Sequence, residues 1–427
     1  MHWGLLGPEQ LAGSRRTRAL GVGRAVRKFN QLAVPGLGGV WFAKQLLLAT
    51  LGVVVADRLR LQKRHVKAIE IANAIEALAC FCAFQSNGGE REDRLRGVRK
   101  LVGKTDLTFA KLRQPRFYVT QPMRMATVEA LAALGFVESA SPRFNSFRAT
   151  EIGRDFVEEA MKDFTPFQTS VELHLFRLAS EDLPINVSPS LQSALSPLKP
   201  LNAIARELLR SRICEAAGED MNASRRKNAL NWVSSSEVGK HADMKTKPQS
   251  IDADHWHDLR LGARFFEVRK AAIDMLNVLE AAMDSRNLTK IATAKAAGIA
   301  DVQKRSNVVR AAAETFLQEK TDPTGGMATE FCRDCFETDS TRMIEKLVAR
   351  DGRVLLLRGT DIHQGPAFLG RSKPDDSDED AEGPGAENVG RIPVPANISP
   401  RISNLYLMNL DLHCKLDGFL RASQEAA

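Results

Sequence analysis

Two stretches of helical period, residues 40–64 and 66–85, constrain this chain more than any other feature. Apolar residues recur through both at the three- and four-residue spacing of a helix, with Ile71, Ile75, Leu78 and Cys82 on the second. Inside the first, residues 46–56 form a hydrophobic run of 11, bounded by Lys44 and Gln45 on one side and Asp57 on the other. A membrane-spanning helix needs roughly 20 apolar residues. The pattern therefore predicts two packed core helices, a mainly α-helical fold and no membrane partner. Cys80 and Cys82, two residues apart on such a helix, point about 200° from each other and read as core packing.

At 427 residues the chain exceeds one ordinary domain. With 44% hydrophobic and 26% charged residues, it is excluded from the wholly disordered, collagen-like and multi-span membrane classes. Six scattered cysteines cannot make the dense disulfide framework of small secreted domains, so reduced thiols and a cytoplasmic location are expected. Arg15 and Arg16 stand too far from the apolar run, with Arg24, Arg27 and Lys28 between, to begin a signal peptide. Charge is uneven. Residues 1–124 hold 22 Lys or Arg against 8 Asp or Glu, and the remaining 303 hold 38 against 44. A basic region of this kind attracts a polyanion through counterion release. The alternative is a solvated surface, or a face that docks on the protein's own acidic part.

The expected division is a basic, Gly-rich amino-terminal segment (1–39) read as a loop from Gly21 onward, a helical region (40–164), and a helical carboxy-terminal domain (165–370). A disordered acidic linker (371–390) and a segment returning to the core (391–427) follow. Nucleotide-binding loops fail on spacing. Gly21 and Gly23 lack a third glycine, and five residues separate Gly97 from Gly103-Lys104-Thr105, where a phosphate loop has four.

Residues 94–164 are the most readable. Thr105 and Asp106 predict the cap of a short helix to Leu112; Thr120 and Pro122 open a second over residues 121–134, closed by Gly135. The period then changes to that of strands at 136–138 and 147–149, and Thr150 begins a helix carrying Phe156, Val157, Ala160 and Phe164. This order of helix, helix, strand, wing, strand, helix resembles a winged helix-turn-helix. Leu134-Gly-Phe-Val-Glu138 and Phe147-Arg-Ala-Thr-Glu-Ile-Gly153 are similar to the surround of the wing in MarR-type regulators. The resemblance implies that the helix before the wing enters the major groove with Gln121, Arg124, Met125, Val128 and Glu129 toward DNA, and that Arg143 and Arg148 reach it from the wing. Lys111, Arg113 and Arg116 would hold phosphates. Of the five helix positions, only Gln121 and Arg124 are good donors to base edges, which suits weak or shape-based DNA contact, or a protein partner.

Further along, helices are predicted over residues 167–180, 201–217 and 254–283, with a mobile loop at 234–250. Asp254, His255 and His257 are the best enzymatic candidates, but on a helix the two histidines diverge and an aspartate is more simply the cap. Ala296–Ile299 is similar to the turn of a second helix-turn-helix. Lys304 and Asn307 stand where its second helix should bury apolar residues, so the reading is two helices meeting at Gly298, with Val308, Val309, Ala312 and Phe316 inward. Cys332 and Cys335 form a single CxxC, and zinc would require His413 and Cys414 or His363, which lack motif spacing. No cofactor is expected. Asp376, Asp378, Asp380 and Glu387 imitate a calcium loop without its glycine or its helices.

The sequence thus predicts a non-catalytic DNA-associated winged-helix protein, a regulator or a DNA-contacting subunit of a larger bacterial-type complex, with protein partners. One alternative is a scaffold subunit of a genome-handling or anti-phage defence assembly. The other is a metal-dependent enzyme using Asp254, His255 and His257.

Overall fold

Helix formation begins within the stretch that its glycines mark as a loop. In the computed structural model, which describes residues 18–181, 184–215, 220–235, 238–241, 243–368 and 391–424, α1 (Gly23–Ala33) occupies it. The glycines after Gly23 stand only beyond the helix, and Ala25, Phe29 and Ala33 recur every fourth residue to make a buried face. The acidic linker and the calcium-like pattern lie outside the described residues.

The chain forms two units. The larger holds the described residues of 30–256 and 379–427. At its centre lie α2 (Ala43–Leu61) and α3 (Ala68–Ser86), buried on nearly every face. Their crossing is close because Gly52 has no side chain: a Cβ there would come within 2.6 Å of the Ala72 Cα. Helix α3 is long and apolar enough to cross a membrane by length and composition, and 78% of that window is buried inside the protein. Each buried Leu or Val of the pair contributes about 1.5–3 kcal/mol. Asp411 caps the start of α2 by accepting the Ala43 N–H at 2.8 Å, and Lys44 donates to the Ala194 carbonyl at 2.9 Å.

Around this pair run α4 (Val98–Leu101), α5 (Phe109–Leu112), α6 (Arg124–Ala133), β1 (Val137–Glu138), β2 (Arg148–Ala149), α7 (Glu151–Met161), α8 (Val171–Glu181) and α9 (Pro189–Leu195). Helices α6, α7 and α8 pack on α2, while α4, α5 and α9 pack on α3. β1 and β2 are antiparallel, pairing Val137 with Ala149. Thr150 caps α7 through its side chain, which accepts the Gly153 N–H. Helices α10 (Ala203–Glu215) and α11 (Asp220–Ser234) follow, and a 3-10 turn at Val238–His241 falls within the predicted loop.

The smaller unit holds the described residues of 1–29 and 257–378. The division therefore cuts the expected 165–370 domain between Trp256 and His257, inside α12 (Ala253–Ser285). Helix α8 packs on α2, and α10 on α7, so these belong with the core pair despite their distance along the chain. Beyond α12 come β3 (Lys290–Ala292), α13 (Thr293–Ala297), α14 (Ala300–Leu317), α15 (Met327–Cys335), α16 (Ser340–Asp351), β4 (Leu355–Arg358) and β5 (Asp361–Gln364). The strands form an antiparallel sheet in the order β3, β5, β4, with Ile291 and Leu357 both beside Ile362. Phe265 gathers Phe29 at 5.0 Å, Phe331 at 6.0 Å and Phe316 at 6.1 Å between ring centroids. Buried Arg18 donates to Asp351 at 3.1 Å, to Glu280 at 2.9 Å and to Asn277.

Of the four residues that the sequence turns inward on α14, Val309, Ala312 and Phe316 are buried and Val308 is not. Val302, Ser306, Val309, Ala312, Ala313 and Phe316 face inward, whereas Lys304 and Asn307 are exposed and Val308 is 47% exposed. The small hydroxyl of Ser306 is what allows this, since it packs against α12 at the Met275 sulfur. After the linker, α17 (Pro400–Leu412) and α18 (Leu416–Gln424) return to the larger unit, where α17 packs against α10, α11 and α2.

Candidate nucleic-acid interface

A helix needs partners for its first N–H groups, and α6 has no side-chain cap of its own. Glu76, buried on α3, supplies one. Its carboxylate accepts the N–H of Met123, the N–H of Arg124 at 3.0 Å and the Tyr118 hydroxyl. Burial pushes the Glu76 carboxyl above its ordinary range, against the pull of those three donors. Arg124 follows the same path inward: its side chain donates to Asn73 and its guanidinium lies 5.5 Å from the centre of the Phe144 ring. Only 9% of it is exposed, and burial pushes its pKa down. The expectation that Arg124 faces DNA is therefore corrected, because its position beside Glu76 and Asn73 turns it toward α3.

The outer side of α6 carries Met125, Glu129 and Ala132, with Val128 half-exposed, and no cation. Gln121 precedes the helix and is half-exposed rather than lying on its outer face. Glu129 is engaged by Arg401 of α17 at 2.6 Å. The loop at Gly38 (φ +60°) also covers this helix, since a Cβ there would come within 2.5 Å of the Ala126 carbonyl oxygen. The turn between β1 and β2 folds back instead of projecting. Asn145 accepts the Ile69 N–H at 3.0 Å, and Arg60 donates to the Asn145 and Phe147 carbonyls at 3.1 and 3.2 Å. Arg143 remains exposed. Arg148 is exposed, with Nε 3.7 Å from Asp57.

The cations gather instead on α4, α5 and the turn after α5. Residues 99–116 contain six Lys or Arg and one carboxylate, Asp106. Arg99, Lys100, Lys104 and Arg116 are exposed. Lys100 donates to the Arg116 carbonyl at 3.1 Å, which brings α4 beside that turn. Lys111 spends its charge on Asp106, donating to its carboxylate at 2.5 Å and its carbonyl at 2.8 Å, and holds Asp106 below the usual carboxylate range. Arg113 stands 3.6 Å from Glu70. Of the expected phosphate contacts, Arg116 is thus the one fully presented. Arg99, Lys100 and Lys104 were missed by motif reading, although the excess of cations in this short stretch marks them. Long cationic side chains of this kind hold phosphate and position a protein on a duplex without themselves requiring a base contact.

The other candidates separate. Buried His255 bonds through Nε2 to the Ala33 carbonyl at 2.9 Å, whereas His257 meets the Thr321 hydroxyl at 3.1 Å. Asp254 is exposed in the first turn of α12. Two residues apart on a helix, the rings diverge. Cys332 and Cys335 are buried in α15, and burial pushes both thiols up, away from the thiolate form a metal requires. His413 is held by the Asn409 carbonyl at 2.7 Å, and Cys414 is exposed against Arg206. Among the described residues, no three His, Cys, Asp or Glu side chains gather as a metal set. No protein-family model, curated protein or solved structure matches this chain.

Proposed function

We propose that this protein is a non-catalytic DNA-associated subunit, whose residues 94–164 act as a winged helix-turn-helix that grips the phosphate backbone from its α4 and α5 side. The element order from α5 to α7, with its antiparallel strand pair, supports the module. The observation that carries the function is the set of exposed Arg99, Lys100, Lys104 and Arg116, with a single carboxylate in the stretch, already neutralised by Lys111. Cations set against phosphate bind duplexes with little regard to sequence.

Anisotropy of a labelled random-sequence duplex tests the reading. Four phosphate contacts give a slope of log K on log salt near −3.6, so affinity falls about a hundredfold between about 50 and 200 mM salt. Binding that ignores salt, or none at about 50 mM, would reject it. A second reading, a protein partner on α6, is favoured by one observation: Met125 is 43% exposed beside Val128 and Ala132. In that case Met125→Asp releases a co-purifying protein and leaves duplex affinity unchanged.

A further inference from the structure

The smaller unit places β3 directly before α13, a break at Gly298 and Ile299, then α14, and later adds the hairpin of β4 and β5 to the same sheet. The outer order of that sheet, with the first strand beside the last, fastens the hairpin to the start of α13. There the Thr360 carbonyl accepts the Thr293 N–H at 2.9 Å. The arrangement leaves one long face of α14 open. Gln303, Lys304, Asn307, Val308 and Ala311 all lie on it and are exposed.

This face has the chemistry that α6 lacks. Residues 302–313 contain Lys304, Arg305 and Arg310 and no Asp or Glu, with Asp301 and Glu314 only at the two ends of the face, although the chain beyond residue 124 is acidic as a whole. Among the described residues, no partner engages the side chains of Gln303, Lys304 or Arg305. Asn307 accepts from Arg310 at 2.9 Å, and Arg310 is itself held by the Glu337 carbonyl at 3.1 Å. The amide is thereby oriented with its NH2 group still to be used. Asn and Gln match the paired donor and acceptor of adenine in the major groove, Lys matches the two acceptors of guanine, and small apolar groups such as Val308 and Ala311 suit the thymine methyl.

We propose that α14 is a base-reading helix for double-stranded DNA, with Gln303, Lys304 and Asn307 contacting base edges and Lys295 and Arg305 contacting phosphate. The duplex is DNA and not RNA because a helix needs an open major groove, and A-form RNA keeps that groove deep and narrow. This site goes beyond the backbone contact of the larger unit and uses none of the same residues.

Selection from a pool of duplexes carrying about 20 randomised base pairs, enough for one helix and its flanks, tests it with the full chain. The wild type enriches a defined motif. The Gln303→Ala/Asn307→Ala variant, altered only at exposed positions and checked for helicity by circular dichroism, loses preference at the contacted positions about tenfold or more. A Lys104→Ala/Arg116→Ala chain binds every sequence more weakly yet enriches the same motif, which separates this site from the α4 and α5 surface. If the wild type enriches nothing, or the folded Gln303→Ala/Asn307→Ala chain enriches the unchanged motif at unchanged affinity, α14 does not read bases.

Discussion

Replacing Glu76 with alanine removes the one carboxylate that three buried donors share. The Met123 and Arg124 N–H groups lose their partner at the start of α6, and the Tyr118 hydroxyl is stranded beside them. Each buried donor left unpaired costs about 1–3 kcal/mol. Relaxation and the relief of a buried charge return part of this, so the net loss is about 3–5 kcal/mol, as for other buried ionic networks broken at one member. Three of the four tryptophans, Trp41, Trp232 and Trp256, belong to the larger unit, so tryptophan fluorescence in urea reports mainly its unfolding. With a slope of about 3 kcal/mol per molar, the midpoint falls by about 1 M or more. Glu76→Gln keeps the shape and one acceptor, and loses less. The sign with pH is also fixed. Because Glu76 is raised above its ordinary 4.5, the folded state holds the proton more tightly, and wild type loses stability relative to Glu76→Gln as pH climbs above 4.5. A Glu76→Ala midpoint within about 0.2 M of wild type would refute the claim that this carboxylate anchors α6.

Gly52→Ala should destabilise the larger unit by about 1–3 kcal/mol in the same urea assay, although Gly to Ala inside a helix ordinarily stabilises, because the new methyl meets Ala72. Arg18→Met should cost the smaller unit about 3–5 kcal/mol by removing the buried guanidinium that Asp351 and Glu280 share, read as faster amide exchange in α12 and α16. Burial lowers Lys44 to about 8 from 10.5, so the folded state binds fewer protons between those values. Wild type should therefore gain stability relative to Lys44→Met as pH rises from about 8 to 10.5, and a flat difference would contradict the burial of its charge.

The elements that could be read from the sequence are those whose signal is local. The run at residues 46–56 has only one way to avoid water, and α2 is buried accordingly. The change of period at Gly135 gives β1 and β2, and Thr150 is a cap in sequence and in space. What escaped depends on distant partners or on helix phase. The winged-helix resemblance turns Arg124 outward, but seven residues before Leu131 it shares that residue's buried face, and Glu76, far upstream, accepts its N–H at the start of the helix. In α14 a serine looks like surface and a valine like core, yet Ser306 is buried and Val308 is not. Helix α1 was concealed by glycines that mostly flank it.

The most direct test is the salt slope of duplex binding by the full chain against its Lys100→Ala/Lys104→Ala/Arg116→Ala variant. Each phosphate contact contributes about 0.9 to that slope, so the account predicts a slope shallower by about 3, whatever other surfaces also touch the duplex. A folded variant whose slope and affinity equal those of wild type would contradict it.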